Sequence, residues 1–241
     1  MVYWVNRNMK NIAVILAGGA GKRAGEGLPK QFRKLSNGRT VLETCVAAFE
    51  ANENIDEIAI VMLRDYLPQA QTIARQAGWS KVNYWIAGGR ERWESSLFAA
   101  KTLQLAMDAN GDNECNILLH DCARPFVSEA IITRVCQALM DYQAVSVAVP
   151  VTDTIYEIQN SRFKINSIPP RETLMRAQTP QAFRLSLLLR AYEKADAEAL
   201  QHVTDDAGVI HTFLPDEAIG IVAGEETNRK LTYEGDFMVG N

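Results

Sequence analysis

The stretch Asn11-Ile-Ala-Val-Ile-Leu-Ala-Gly-Gly-Ala-Gly-Lys-Arg23 joins a run of apolar residues directly to a glycine-rich segment. A continuous apolar run of this length is typical of a strand that is buried on both faces of a parallel sheet. Ligands of such sheets bind beyond the carboxyl ends of the strands, which is where the glycines fall. Glycines there let backbone N–H groups approach an anion closely. With the cations Lys22, Arg23 and Lys30 nearby, the segment predicts a polyphosphate site.

Strand and helix patterns alternate from residue 11 to about residue 151. This alternation predicts an α/β fold with a Rossmann-like, open and mostly parallel sheet flanked by helices. We expect one domain over residues 11–241, after a short leader of residues 1–10. The predicted strands are residues 11–17, 57–63, 82–86, 116–120 and 144–151, and the predicted helices are residues 40–52, 66–77, 92–107 and 128–142.

The alternation stops at residues 153–168, where polar and apolar residues alternate around the turn signal Gln159-Asn-Ser161. This pattern predicts an antiparallel hairpin that projects from the sheet as a β-arm over about residues 152–170. A helix near residues 186–197 and a short strand at residues 219–223 are expected to follow.

Composition and charge argue against nucleic acid, membranes and zinc as partners of this chain. The net charge of −4 argues against non-specific binding to nucleic acid or to an anionic membrane. The apolar runs are too short to cross a bilayer. The four cysteines form no CxxC pair, and the three histidines show no zinc spacing. We therefore expect a cytoplasmic protein with reduced thiols.

Two other interpretations of the glycine-rich segment stay open. Gly19, Gly21 and Ala24 match the dinucleotide pattern GxGxx[GA], which keeps a dinucleotide-dependent oxidoreductase as a distant alternative. That pattern expects a second strand ending in an acidic residue about 20 positions later. Here the next predicted strand ends near Leu63. The second possibility is a glycine turn that only reverses the chain, although this leaves the cations unexplained.

Four further clusters follow predicted strands or the arm. Each also has a simpler explanation: Asp121 and Arg124 could form a structural ion pair, residues 179–181 could form a turn, and Thr204 could cap a helix. Cys122 lies near His120, but no third residue visibly orients that histidine for nucleophilic catalysis. The clusters are Gly88-Gly-Arg-Glu-Arg92 with Ser95, His120-Asp-Cys-Ala-Arg-Pro125, Arg171 with Gln178-Thr-Pro-Gln181, and Thr204-Asp-Asp206 followed by Asn228-Arg-Lys-Leu-Thr232.

Taken in order, these motifs resemble the cytidylyltransferases that act on 2-C-methylerythritol 4-phosphate and ribitol 5-phosphate. The resemblance runs from about Asn11 to Thr232. It implies a nucleotide-binding α/β domain, a β-arm that interlocks two subunits as a homodimer, and a need for Mg²⁺. It also implies a reaction in which the acceptor phosphate attacks the α-phosphorus of CTP and releases pyrophosphate. A nucleotide sensor that keeps the fold without turnover is a further alternative.

The resemblance assigns roles to individual residues. Arg23, Lys30 and Lys230 would be catalytic, with Lys230 on a C-terminal strand. CTP would lie on Ala17, Gly18, Gly19, Gly21, Gly89 and Ser95. The acceptor would be held by Asp121, Arg171, Thr179 and Thr204, with Asp121 also a possible Mg²⁺ ligand and Arg171 delivered by the partner subunit.

The acceptor is inferred from departures within these motifs. Methylerythritol enzymes typically carry Ala at the position of Cys122 and Leu-Trp where this chain has Leu174-Met175. The segments Ile168-Pro-Pro-Arg171 and Gly220-Ile-Val-Ala-Gly-Glu-Glu-Thr-Asn228 look more like the ribitol-phosphate enzymes of teichoic acid and capsule synthesis. The sequence thus favours ribitol 5-phosphate, with 2-C-methyl-D-erythritol 4-phosphate of isoprenoid synthesis as the alternative.

Overall fold

The computed structural model describes residues 9–19, 29–112, 114–159 and 163–237. Its main feature is a seven-stranded sheet with the order β3-β2-β1-β4-β8-β5-β9. The strands of this sheet are β1 (Lys10–Leu16), β2 (Glu57–Met62), β3 (Val82–Ala87), β4 (Cys115–Asp121), β5 (Ala144–Pro150), β8 (Met175–Arg184) and β9 (Ile219–Ala223). The helices are α1 (Val41–Ala51), α2 (Leu67–Ala77), α3 (Arg92–Asn110), α4 (Glu129–Ala138), α5 (Leu185–Lys194), α6 (Ala197–Leu200) and α7 (Asp206–Phe213).

Helices cover both faces of the sheet. Alternate residues of β1 point to opposite faces: Ala13 and Ile15 pack with α1 and α4, whereas Ile12 and Val14 pack with α3, α5 and α7. This double burial explains why β1 is a continuous apolar run and not an alternating one. The predicted Rossmann-like fold class, an open and mostly parallel α/β sheet with flanking helices, is confirmed.

Strand β8 was not predicted from the sequence. It runs antiparallel to β4 on one side and to β5 on the other, while β5 and β9 are parallel. Residues 179–181 lie inside this strand, so their interpretation as a turn is wrong. A second departure is α7, which begins at Asp206 within the polar stretch 204–206 and is capped by Asp205, not by Thr204.

The hairpin is present where it was expected. Strands β6 (Glu157–Gln159) and β7 (Lys164–Ser167) pair antiparallel as a separate two-stranded sheet between β5 and β8 in the chain. It exposes the apolar side chains of Ile158, Phe163 and Ile165. Its role in dimerisation stays a prediction.

Candidate active site

A cavity of about 520 Å³ opens at the carboxyl ends of β1 and β4. The last residues of these strands, Leu16 and Asp121, are register partners in the sheet, so the loops that follow them meet at one edge. The cavity gathers predicted site residues from distant parts of the chain: Ala17, Gly18, Gly19, Lys30, Gly89, Ser95, Asp121 and Lys230.

Two predicted residues of the glycine-rich segment, Gly21 and Arg23, lie outside the described residues. Lys30, which begins a short 3-10 helix just after that segment, lines the cavity. Its ammonium donates a hydrogen bond to the Thr232 carbonyl oxygen at 2.9 Å. Lys230 approaches from the C-terminal segment, which is irregular at this point and not the strand that was expected.

Asp121 lies between two cations. Its Oδ2 accepts a hydrogen bond from Lys230 Nζ at 2.6 Å, and its Oδ1 accepts one from Arg92 Nε at 3.1 Å. Burial alone would raise the pKa of this carboxyl, but the charges of Arg92 and Lys230 hold the pKa well below its usual range. Asp121 is therefore a carboxylate throughout the physiological range.

Arg92 is a site residue that the sequence interpretation missed. It joins Asp121 to the buried Asp206, whose Oδ2 lies 2.6 Å from Arg92 Nη1. Arg92 Nη2 is also buried, and it has no hydrogen-bond partner among the residues that the structure describes. Both residues stood in the quoted motifs, but a sequence gives no sign that two side chains 114 positions apart will pair.

His120 and Thr179 form a buried chain of hydrogen bonds behind Asp121. The Asp121 backbone N–H donates to Thr179 Oγ1 at 3.1 Å, and Thr179 Oγ1 lies 3.0 Å from His120 Nδ1. His120 Nε2 lies 3.0 Å from the Arg124 carbonyl oxygen. A carbonyl can only accept, so Nε2 carries the proton and the Thr179 hydroxyl donates to Nδ1. Burial lowers the pKa of His120 to about 4, which keeps the ring neutral.

Ser95 and Glu94 shape the loop that carries Gly89. Ser95 Oγ accepts a hydrogen bond from the Gly89 N–H at 3.1 Å, and Glu94 Oε2 accepts from the Arg90 N–H at 2.6 Å. A Cβ on residue 89 would lie 2.3 Å from the Cβ of Glu94. Residue 89 must therefore be glycine for the loop to fold back onto α3 in this way.

The remaining acceptor candidates lie outside the cavity. Thr204 lines a second cavity of about 590 Å³, and residues 90–92 line both cavities. Thr179 is buried, with its hydroxyl bonded as described above. Arg171 is exposed at the base of the arm, with Nη2 3.4 Å from Thr154 Oγ1. The contacts of these residues with an acceptor stay predictions.

Two residues with carboxylate side chains, Glu91 and Asp121, line the cavity. Among the described residues, no group of three or more His, Cys, Asp or Glu side chains is arranged to hold a metal. Mg²⁺ is commonly bound through one or two carboxylates together with substrate phosphates. The site therefore fits a Mg²⁺ ion that arrives on a triphosphate, and it does not form a protein cage.

The carboxyl edge of this mixed α/β sheet brings together glycine backbone, two lysines and a buried aspartate. This combination is typical of the nucleotidyltransferase class. Comparison with known proteins narrows this class. The chain belongs to the 2-C-methyl-D-erythritol 4-phosphate cytidylyltransferase family, whose model matches residues 11–241. The predicted class of enzyme, a CTP-dependent nucleotidyltransferase, is confirmed by this membership.

Individual relatives show the same family. The chain is 42% identical over 237 residues to the 2-C-methyl-D-erythritol 4-phosphate cytidylyltransferase of Thermobifida fusca, covering 97% of this chain and 93% of the relative. It is 40% identical over 235 residues to the bifunctional ribulose 5-phosphate reductase/CDP-ribitol pyrophosphorylase Bcs1 of Haemophilus influenzae, covering 98% of this chain and 48% of that protein. A solved 4-diphosphocytidyl-2C-methyl-D-erythritol synthase from Anaerococcus prevotii superposes with a TM-score of 0.79 at 29% identity, covering 95% of this chain and 93% of that one.

These matches favour one acceptor over the other. The family model and the Thermobifida relative are both named as methylerythritol phosphate cytidylyltransferases. The relative that is named for CDP-ribitol is matched over about half of its own length. The sequence-based preference for ribitol 5-phosphate is therefore not supported, and its alternative is the better-backed acceptor. The dinucleotide-dependent oxidoreductase is not supported by any of these matches. Among the described residues, no helix is long and apolar enough to span a bilayer.

Proposed function

We propose that this enzyme transfers the cytidylyl group of CTP to 2-C-methyl-D-erythritol 4-phosphate and releases pyrophosphate. The observation that carries the proposal is the cavity that Lys30 and Lys230 line together with Gly18 and Gly19 at the end of β1. Ammonium groups and backbone N–H groups are suited to a polyphosphate chain. The descriptions of the family and of the Thermobifida relative support the choice of acceptor.

The proposed chemistry needs no covalent intermediate and no general base. An oxygen of the acceptor phosphate forms a bond to the α-phosphorus as the bond to pyrophosphate breaks. The attacking oxygen is already anionic at neutral pH, so the low pKa of Asp121, which makes that carboxylate a weak base, is no obstacle. The enzyme has to bring two polyanions together and stabilise the charge that develops on them.

Each residue has a defined part in this scheme. Arg23, Lys30 and Lys230 neutralise the triphosphate, while Ala17, Gly18, Gly19, Gly21, Gly89 and Ser95 bind the nucleotide. Asp121 faces the hydroxyl groups of the acceptor and holds Lys230 in place through the contact at 2.6 Å. Thr179, Thr204 and the partner subunit's Arg171 hold the acceptor phosphate. Asp121 would hold a Mg²⁺ ion, which would supply positive charge at the triphosphate.

The assembly and the compartment belong to the same proposal. The exposed apolar residues of the hairpin, Ile158, Phe163 and Ile165, support a homodimer formed through the β-arm. All four cysteines are free, which suits a reducing cytoplasm where CTP is available.

The test measures pyrophosphate release from CTP and Mg²⁺ with three acceptors: 2-C-methyl-D-erythritol 4-phosphate, ribitol 5-phosphate and glycerol 3-phosphate. We expect the highest kcat/KM with methylerythritol phosphate, and a much lower value when UTP or ATP replaces CTP. A higher kcat/KM with ribitol 5-phosphate would overturn the choice of acceptor but not the cytidylyl transfer.

Ribitol 5-phosphate remains the second candidate because of one specific observation. The Haemophilus relative, which is described as a CDP-ribitol pyrophosphorylase, is 40% identical over nearly all of this chain. The acceptor panel separates the two candidates directly, since both acceptors are presented to the same enzyme with the same nucleotide.

A further inference from the structure

Residues 232–237, which we name the C-terminal strap, fold over the segment Lys30–Arg33 beside the cavity. Two contacts fasten the strap. The guanidinium carbon of Arg33 lies 4.2 Å from the ring centroid of the buried Phe237, and Arg33 Nη2 lies 3.3 Å from Glu234 Oε1. A third contact reaches the cavity itself, because the Thr232 carbonyl oxygen accepts the hydrogen bond from Lys30 Nζ at 2.9 Å.

Asp236 folds the strap back on itself. Its Oδ2 accepts hydrogen bonds from the backbone N–H of Thr232 at 2.6 Å and of Tyr233 at 2.8 Å. The Tyr233 N–H and the Thr232 carbonyl belong to one planar peptide unit, in which they point in opposite directions. Holding the N–H toward Asp236 therefore turns the carbonyl toward Lys30.

We propose that Asp236 is a positioning residue for cytidylyl transfer: through the peptide between Thr232 and Tyr233, it holds the Lys30 ammonium at the rim of the nucleotide cavity. The proposal rests on the proposed role of Lys30 as a ligand of the triphosphate. A lysine side chain has a flexible four-carbon stem, and ordering this stem when the substrate binds costs affinity. A carbonyl that already holds the ammonium reduces this cost and keeps the charge where the transition state needs it.

A purely structural role makes a different prediction from a positioning role. If Asp236 only stabilised the strap, its removal would weaken the enzyme to the same extent whether or not Lys30 is present. If Asp236 acts through Lys30, its removal has no effect once the ammonium is gone. A double-mutant cycle measures this difference.

The experiment compares the full-length wild type, Asp236→Ala, Lys30→Met and the double variant, by kcat/KM for CTP and by the Kd of CTP from calorimetry. We expect Asp236→Ala to lower kcat/KM by about tenfold, as for the loss of one hydrogen bond to a charged group. In the Lys30→Met background the same change should alter neither quantity. The conservative variant Asp236→Asn keeps an acceptor oxygen for both N–H groups and should retain most of the activity.

Glu234→Ala is the matched control, since it removes a carboxylate of the same strap that does not contact the Thr232–Tyr233 peptide. It should leave kcat/KM within about twofold of wild type, as expected for an exposed ion pair. Thermal unfolding of every variant identifies any loss of the fold, and Asp236→Asn keeps the test usable if Asp236→Ala does not fold.

The possible outcomes separate the two proposals. An equal loss from Asp236→Ala in both backgrounds, no loss at all, or an Asp236→Asn enzyme as impaired as Asp236→Ala overturns the positioning role. An unchanged kcat/KM in Lys30→Met overturns the role of Lys30 in the proposed function itself.

Discussion

Arg92 holds two carboxylates at once, and the two differ in how much they depend on it. Asp121 also contacts Lys230 and lines the open cavity. Asp206 is 1% exposed. Besides Arg92, the Tyr192 hydroxyl donates a hydrogen bond to the Asp206 carboxylate, at 3.3 Å. A buried carboxylate that loses its cation is costly to the fold. Arg92 is therefore as important for stability as for the site.

Replacing Arg92 with methionine tests this dependence. We expect Arg92→Met to lower the free energy of unfolding by about 3–5 kcal/mol, because the Asp206 carboxylate stays buried without its cation. Urea denaturation at pH 7 measures the loss. The matched control is Arg176→Met, which breaks a pair with Glu226 whose side chains are both more than half exposed, and which should cost less than about 1 kcal/mol. Equal losses in the two variants would contradict this account.

His120 gives a residue-scale prediction for pH. Its pKa is lowered to about 4 by burial, whereas the unfolded chain has the ordinary value of about 6.5. The unfolded state therefore binds a proton first as the pH falls, and His120 lowers stability progressively between about pH 6.5 and pH 4. Above pH 6.5 the imidazole is neutral in both the folded and the unfolded state, so His120 does not lower the free energy of unfolding there. The low pKa of Asp121 acts in a separate window, because its stabilisation is lost only below about pH 4.

The variant His120→Gln removes this titration. We expect the free energy of unfolding of wild type to fall by about 2–3 kcal/mol more than that of the variant between pH 7 and pH 4.5. Urea denaturation at both pH values gives the comparison, and the exposed His202→Gln should behave as wild type does. A wild type and a His120→Gln variant with the same pH dependence would show that His120 is not held neutral.

At the residue scale, candidate site residues could be proposed where a motif carries its own chemistry, although their roles stay predictions. Lys30, Lys230, Asp121, Gly89 and Ser95 could be proposed from the sequence, and the fold brings all of them to one cavity. The Arg92–Asp206 pair and the bonds of the Thr179 hydroxyl to Asp121 and His120 could not be predicted in the same way. Their roles arise from partners that only the folded chain brings within reach.

At the scale of elements, the parallel strands were predictable and β8 was not. The predicted strands are apolar because both of their faces are covered. The centre of β8 instead contains Gln178, Thr179 and Gln181, which are all buried and hydrogen-bonded. Pro180 also argues against an inner strand in any sequence-based interpretation. Helix α7 was overlooked for a related reason, since its first residues are polar because they cap the helix and pair with Arg92.

Helix α1 offers a test of an element whose position the sequence predicted. A capping box begins it: the Glu43 N–H donates to Thr40 Oγ1 at 3.1 Å, and the Thr40 N–H donates to Glu43 Oε2 at 2.7 Å. We expect Thr40→Ala to lower the free energy of unfolding by about 1 kcal/mol. Thr102→Ala, in the middle of α3, should change it by less than about 0.5 kcal/mol. Urea denaturation of both variants decides whether the cap matters to the whole domain.

At the scale of the whole molecule, the arm and the cavity raise the question of which subunit supplies Arg171. Within one chain Arg171 stays at the base of the arm and does not line the cavity. In a two-fold dimer the same arm would reach the partner's site. The site would then be complete only in the assembly.

Subunit mixing tests this arrangement. Lys30→Met and Arg171→Ala should each be nearly inactive alone, whereas unfolding and refolding them together in equal amounts should restore about a quarter of the wild-type activity, because half of the dimers then carry one intact site. Pyrophosphate release measures the recovery, and sedimentation shows whether dimers re-form. A mixture no more active than its components would place Arg171 in its own subunit's site or outside the reaction.

The position of β8 also has a consequence for how the chain folds as it is synthesised. The strands β3, β2, β1 and β4 are all available once residue 121 has been made, but Asn116 of β4 pairs with Arg184 of β8, 68 residues later. Until β8 has been made, one edge of β4 has no partner. Strand β5 cannot join the sheet either, because it is linked to β4 only through β8. The four strands β3, β2, β1 and β4 can therefore assemble first, and the hairpin is made before β8 pairs with β4. Thr179 arrives with β8, and only then can its hydroxyl accept the hydrogen bond from the Asp121 N–H at the end of β4.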